Sequence, residues 1–183
     1  MRPRIEGYAI VSADGMIANA AGLHPDELKN EADLRFFHGG LDQADVIAHG
    51  RNSNEGRPGG KASRRLILTR RVDGIAPDPG NAKALLWNPA GASFDEAWRA
   101  CGGQPGILAV IGGTEVFGLF LTIGYDAFHL TRAARVRLPG GRPVFPGVPQ
   151  KTPDEILAAH GLTPGKTMTL DAAAGVILVT WRR

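Results

Sequence analysis

At 183 residues the chain has room for one domain with a substantial core and is short for two. No apolar run reaches the length of a membrane span. The basic start, Met1 to Gly7, lacks the unbroken apolar stretch of a signal peptide, so no membrane partner and a cytoplasmic location are expected. A single cysteine, Cys101, excludes an intrachain disulfide and a cysteine-only zinc site, and the five histidines show no metal-ligand spacing. The net charge of +3 owes much to Arg51, Arg57, Lys61, Arg64, Arg65, Arg70 and Arg71. No nucleic-acid motif accompanies them, which favours a pocket for a phosphorylated small molecule over a nucleic-acid partner.

In chain order, Tyr8-Ala9-Ile10-Val11 reads as a buried strand, Ala13-Asp14-Gly15 as a turn, and Met16-Ile17-Ala18 as a second apolar step before a polar loop. Asp26 to Gly40 has helical spacing, with Gly39-Gly40 as its stop. Ala44 to Ala48 is a strand that runs into His49-Gly50-Arg51-Asn52-Ser53. Asn54 to Ser63 is a surface loop rich in Gly, Pro and charge. Arg65 to Thr69 and Ala84 to Trp87 are further strands. A short helix follows a capping Ser93 and ends before Gly102-Gly103.

Gly106 to Ile111 is the strongest strand of the chain and leads through Gly112-Gly113-Thr114-Glu115 into a helix over Val116 to Leu121. Tyr125 to Thr131 is another strand. Arg142 to Pro149 reads as a Pro-rich loop, and Met168 to Leu170 with Gly175 to Trp181 as a closing hairpin. Strands that alternate with helices predict a parallel α/β sheet.

Three groups of residues carry chemistry. The first is Ile111-Gly112-Gly113-Thr114-Glu115, where paired glycines at a helix start allow close backbone approach to an anion and present free N–H groups to it. A simple tight turn would look the same, and the six-residue dinucleotide fingerprint is absent. The second is the pair of strand ends Gly50-Arg51-Asn52-Ser53 and Thr69-Arg70-Arg71. Ligands of open α/β sheets sit at such ends, and guanidinium forks suit phosphate. Each arginine alone reads equally as solvated surface. The third is Asp33, beside Phe36 and Phe37 on a predicted helix. One carboxylate can accept two parallel hydrogen bonds from an amino group and a ring nitrogen of a flat heterocycle, although an ordinary surface aspartate gives the same pattern.

In this order the three groups resemble the dihydrofolate reductase superfamily, from about Tyr8 to Pro146. The resemblance implies that Asp33 binds and activates the substrate, that Phe37 packs on it, and that Thr131 of His129-Leu130-Thr131 lies beside it. It implies NADPH as cofactor, held by Gly50, Arg51, Asn52, Ser53, Thr69, Arg70, Arg71, Ile111, Gly112, Gly113, Thr114 and Glu115. Ile17 and Ala18 would touch the nicotinamide, and Phe145-Pro146 matches a late-loop pair of the family.

The chain departs from dihydrofolate reductases in two places. The loop His24-Pro25-Asp26-Glu27-Leu28 lacks the tryptophan they usually carry, and Ser63-Arg64-Arg65 leaves open where an arginine for the folate tail would sit. Ser12-Ala13-Asp14-Gly15-Met16-Ile17-Ala18 resembles instead the opening of the riboflavin-pathway reductase domains, although no deaminase zinc signature is present. The expectation is therefore one three-layer α/β/α domain over residues 1–183, with a mostly parallel central sheet and a C-terminal antiparallel hairpin. Its expected activity is NADPH-dependent hydride transfer to a pterin such as dihydrofolate, by a monomer or homodimer. The alternatives are reduction of a ribosylaminopyrimidine and non-catalytic binding of a pterin or nucleotide.

Overall fold

The computed structural model describes residues 2–53 and 64–183. The predicted loop Asn54 to Ser63, with Arg57 and Lys61, lies outside the described residues. The strands are β1 (Arg4–Ser12), β2 (Met16–Ala18), β3 (Val46–Gly50), β4 (Arg64–Leu68), β5 (Ile75–Asp78), β6 (Asn81–Trp87), β7 (Ile107–Val110), β8 (Ala127–Ala133), β9 (Arg142–Pro143), β10 (Thr163–Asp171) and β11 (Val176–Arg182). The helices are α1 (Glu31–Gln43), α2 (Phe94–Ala100), α3 (Thr114–Ile123) and α4 (Pro153–Ala159).

Nine strands form one sheet in the order β10-β11-β8-β1-β7-β3-β4-β6-β5, and β2 pairs with β9 in a small separate ribbon. The centre is parallel: β1 pairs with β7 and β8, and β3 with β4 and β7. Only the edges are antiparallel, through β5 with β6 and through β10–β11, which closes onto β8. The mostly parallel sheet and closing hairpin match the expectation.

Side chains alternate between the two faces of each strand. One face of β1, β3, β4, β7 and β8 presents Ile5, Val11, Val46, Ala48, Leu66, Leu108, Val110, Phe128 and Leu130. These pack with Trp98 of α2, Phe117 and Phe120 of α3, and Ile156 and Leu157 of α4 in the main core. The other face presents Tyr8, Ile47 and Ala109, covered by Leu41, Phe36 and Phe37 of α1. The sheet is thus sandwiched between α1 and the other three helices.

Several elements differ from the sequence expectation. The helix expected from Asp26 is a 3-10 turn over Asp26–Leu28, and α1 begins afresh after Asn30. The Asn30 side chain accepts hydrogen bonds from the N–H groups of Ala32 and Asp33, which makes it a stronger helix start than Asp26. Nor do Gly39-Gly40 stop α1. The Tyr8 ring lies so close that a Cβ at Gly40 would come within 2.5 Å of it, so this glycine brings the helix down onto the sheet. α4 was not expected. Its Thr152–Glu155 capping box and Pro153 sit in a stretch dominated by prolines.

Candidate active site

A cavity of about 1450 Å³ opens along the carboxyl ends of the central strands. That exceeds what one small ligand needs and accommodates a dinucleotide beside a second molecule. It is lined by all but one of the residues that the sequence singled out: Ile17, Ala18, Asp33, Phe37, Gly50, Arg51, Asn52, Ser53, Thr69, Arg70, Arg71, Ile111, Gly113, Thr114, Glu115 and Thr131. They come from six separate segments of the chain, so the sheet topology brings them together.

The exception is Gly112, which is absent from the lining. Its φ of +113° and its carbonyl explain its place. That carbonyl accepts the Gly50 N–H at 2.8 Å and ties the end of β7 to the end of β3. The peptide bond from Gly112 to Gly113 is cis. A Cβ on Gly113 would find nothing nearer than Ser53 Oγ at 3.9 Å and Ile17 Cδ1 at 4.0 Å, so it would project into open cavity. Gly113 is also the N-cap of α3, with no side chain bonded to the N–H groups of the first turn. The opening of α3 therefore offers an uncapped, positive helix end next to a bare backbone surface.

The strand ends beside it are basic. Residues 50–53 form a turn closed by Ser53 N–H on Gly50 carbonyl, and Arg51 N–H is bonded to Leu68 carbonyl. The Arg71 N–H is held by Thr69 Oγ1 at 3.2 Å. Arg51, Arg70 and Arg71 are exposed on the cavity wall and enter no ion pair among the described residues. This combination of uncapped N–H groups, glycine backbone and exposed guanidinium groups could hold the phosphates of a bound ligand.

At the other end lies Asp33, in the first turn of α1. It is 7% exposed and Thr131 is 2% exposed. Burial pushes the Asp33 carboxyl above its ordinary range, while the Thr131 hydroxyl bonded to it and the nearby His24 act the opposite way. A carboxylate that is buried, with one hydroxyl on it and an open cavity beyond, has acceptor capacity left for a ligand.

Phe37 lines the cavity with its edge toward Tyr8, the ring centroids 6.2 Å apart. Tyr8 stacks on His129 at 4.5 Å, and Phe36 meets His129 edge-on. Beneath these rings Glu6 accepts hydrogen bonds from Tyr8 Oη and Arg4 Nε, both at 2.6 Å, and faces His129 Nε2 at 3.4 Å. Thr180 Oγ1 sits 3.0 Å from the other His129 nitrogen. The His129 contact, with the Tyr8 and Arg4 bonds, holds the Glu6 carboxyl down at about 2. The rings that floor the pocket are therefore fixed from below.

Sequence reasoning did not single out Tyr8, His129, Arg142 or His24, all of which line the cavity. The available signal for His129 was its place two residues before Thr131 on one strand face. In the sequence the histidines suggest only metal ligands, and they lack the spacing for that. Arg64 points the other way and hydrogen-bonds the Cys101 carbonyl at the end of α2. Neither it nor Arg65 lines the cavity. Among the described residues, no helix is long and apolar enough to cross a membrane.

No protein-family model matches the chain, and no curated protein does. Solved structures do. A pyrimidine reductase-like protein of Corynebacterium diphtheriae superposes with a TM-score of 0.70 at 16% identity, over 98% of this chain and 91% of that one. Dihydrofolate reductase of Enterococcus faecalis, complexed with NADP(H) and RAB-propyl, superposes with a TM-score of 0.65 at 19% identity, over 98% and 95%. The deaminase/5-amino-6-(5-phosphoribosylamino)uracil reductase of Thermotoga maritima gives 0.67 at 18% identity, and the chain spans 56% of that longer protein. The chain thus has the fold shared by dihydrofolate reductases and the pyrimidine reductases of the riboflavin pathway.

Proposed function

We propose that the protein is an NADPH-dependent reductase of a flat, nitrogen-rich heterocycle. The observation that carries this is the placement of Asp33, buried and bonded by Thr131, in the same cavity as the Gly113 backbone and the arginine set. One half of the cavity suits a phosphorylated dinucleotide and the other an amidine-like ring edge. NADPH, when bound, supplies a hydride.

The chain's own residues do the rest. Gly113 and the first turn of α3 admit the backbone-hugging part of the cofactor. Arg51, Arg70 and Arg71 recognise its extra phosphate. Asp33 accepts hydrogen bonds from the amino group and adjacent ring nitrogen, which raises the proton affinity of the bond being reduced. Tyr8, Phe36 and Phe37 exclude water from the ring.

The substrate is a dihydropterin such as dihydrofolate, or a ribosylaminopyrimidine. Arg64 favours the second reading. Its guanidinium is turned toward Cys101 carbonyl, away from the cavity, and so does not meet a folate glutamate tail. The test is NADPH consumption against a panel of dihydropterins and ribosylaminopyrimidines. Turnover with either class supports the reductase, and its identity decides between the readings. Tight ligand binding with no NADPH consumption by any of them would overturn the reductase in favour of a binding protein.

A further inference from the structure

We propose that His24 is the general acid of this site, delivering the proton that accompanies the hydride. The proposal rests on the reductase reading above. His24 follows β2 in a loop closed on itself: Leu23 N–H bonds Asn19 Oδ1 at 3.0 Å, and Asn19 and Gly22 N–H groups are held by carbonyls within the same loop. Gly22, with φ of +79°, turns the chain tightly against the Arg142 guanidinium, so that His24 comes back onto the strand it has just left.

There the His24 Nδ1 lies 3.2 Å from Ile17 carbonyl. A carbonyl oxygen only accepts, so Nδ1 donates here and Nε2 is the nitrogen left for a ligand. His24 lines the cavity, and its charge is felt by Asp33. Ile17, with Ser53, is one of the two side chains that approach Gly113. His24, exposed at the cavity wall, is thus tied to the strand whose Ile17 side chain approaches Gly113, and it acts electrostatically on Asp33. The titratable and charged groups around it are Asp33 on α1, Asp26 and its ion-pair partner Lys29 at the 3-10 turn, and Arg142 on β9.

The step balances. As the hydride from NADPH adds to the carbon of the C=N bond, the π pair moves to nitrogen. That nitrogen takes the Nε2 proton of the His24 imidazolium. Neutral His24 is then reprotonated from water. Asp33 holds the ring throughout and does not need to cycle its own proton.

Two readouts test this. The first needs no turnover: His24 ring proton resonances, assigned by their loss in His24→Gln, should shift when NADP+ and a 2,4-diaminopteridine are added together. The second is kinetic, with a substrate that the parent reduces. His24→Gln should lower kcat by about 100-fold, with KM and NADPH affinity within about threefold of the parent. It should also change the shape of the pH–rate profile. Free imidazole should restore part of the lost rate to His24→Ala. Parental kcat and an unchanged pH profile in His24→Gln would overturn the assignment while leaving the reductase reading intact. A parent that consumes no NADPH with any substrate of the panel would overturn both.

Discussion

The two faces of the central sheet are built on different terms. The face under α2, α3 and α4 is an apolar interior in which Trp87, Phe94, Phe120 and Tyr125 meet at tilted and edge-on angles. The face under α1 buries Glu6, Asp33 and Thr131 beside its aromatic rings and opens into the cavity. A buried carboxylate whose charged form is disfavoured is a cost to the fold. The first face therefore supplies stability and the second spends some of it on a site. Substitutions should separate along the same line.

The largest effect on stability belongs to the apolar face. Phe120→Ala removes a fully buried ring and should cost about 3–5 kcal/mol. Thermal unfolding should show the loss, while NADPH affinity of the protein that remains folded should stay parental. A loss of cofactor affinity with unchanged stability would break the contrast between the faces.

Gly113→Val reverses the pattern. The site for its side chain is open and the backbone φ of −82° suits any residue, so the fold should survive. NADPH affinity should fall by about 100-fold, roughly 2.7 kcal/mol. Titration of NADPH fluorescence together with thermal unfolding checks both halves.

Acid should expose the one strongly stabilised carboxylate beneath the pocket. Glu6 is held at about 2, below its ordinary 4.5. A depressed carboxyl contributes stability that is present above the unfolded value and is lost as pH falls from about 4.5 to 2. The contribution is about 3 kcal/mol. Glu6→Gln should flatten that part of the stability-versus-pH curve measured by denaturant unfolding. An equally steep loss in the variant would remove Glu6 from the account.

The smallest predicted effect is at the exposed arginines. Replacing Arg51, Arg70 or Arg71 by Ala should weaken NADPH by about tenfold each, or 1.4 kcal/mol, and NADH much less. Calorimetric titration with both cofactors decides this. Equal affinity for the two in the parent protein would contradict the phosphate role.

Much of this site could be read from the sequence because its parts lie at strand ends. Each of Gly50-Arg51-Asn52-Ser53, Thr69-Arg70-Arg71 and Gly113-Thr114-Glu115 follows an apolar run, and one topology puts all such ends on one side. The parts that could not be read depend on distant partners. Glu6 and His129 are 123 residues apart, and neither looks unusual without the other. Gly40 reads as a helix stop until the Tyr8 ring is seen beneath it. β5, which the sequence analysis did not single out, contains Pro77 and lies at the edge of the sheet, where proline is tolerated. His24 sits in a loop without periodicity, and only the return of that loop to Ile17 gives it a place.

The central claim, that the polar face is an anchoring site for a heterocycle, is tested most directly by Asp33→Asn, measured for turnover and stability together. Burial raises the Asp33 carboxyl above its ordinary value, so its contribution to stability is present at low pH and lost as pH rises through the folded value. At neutral pH the amide should therefore leave the fold as stable as the parent or more so, with NADPH affinity unchanged. Turnover of the dihydropterin or ribosylaminopyrimidine should fall by more than about tenfold. A variant that keeps turnover within about a factor of two of the parent would contradict the account, because the ring would then be held by something other than this carboxylate.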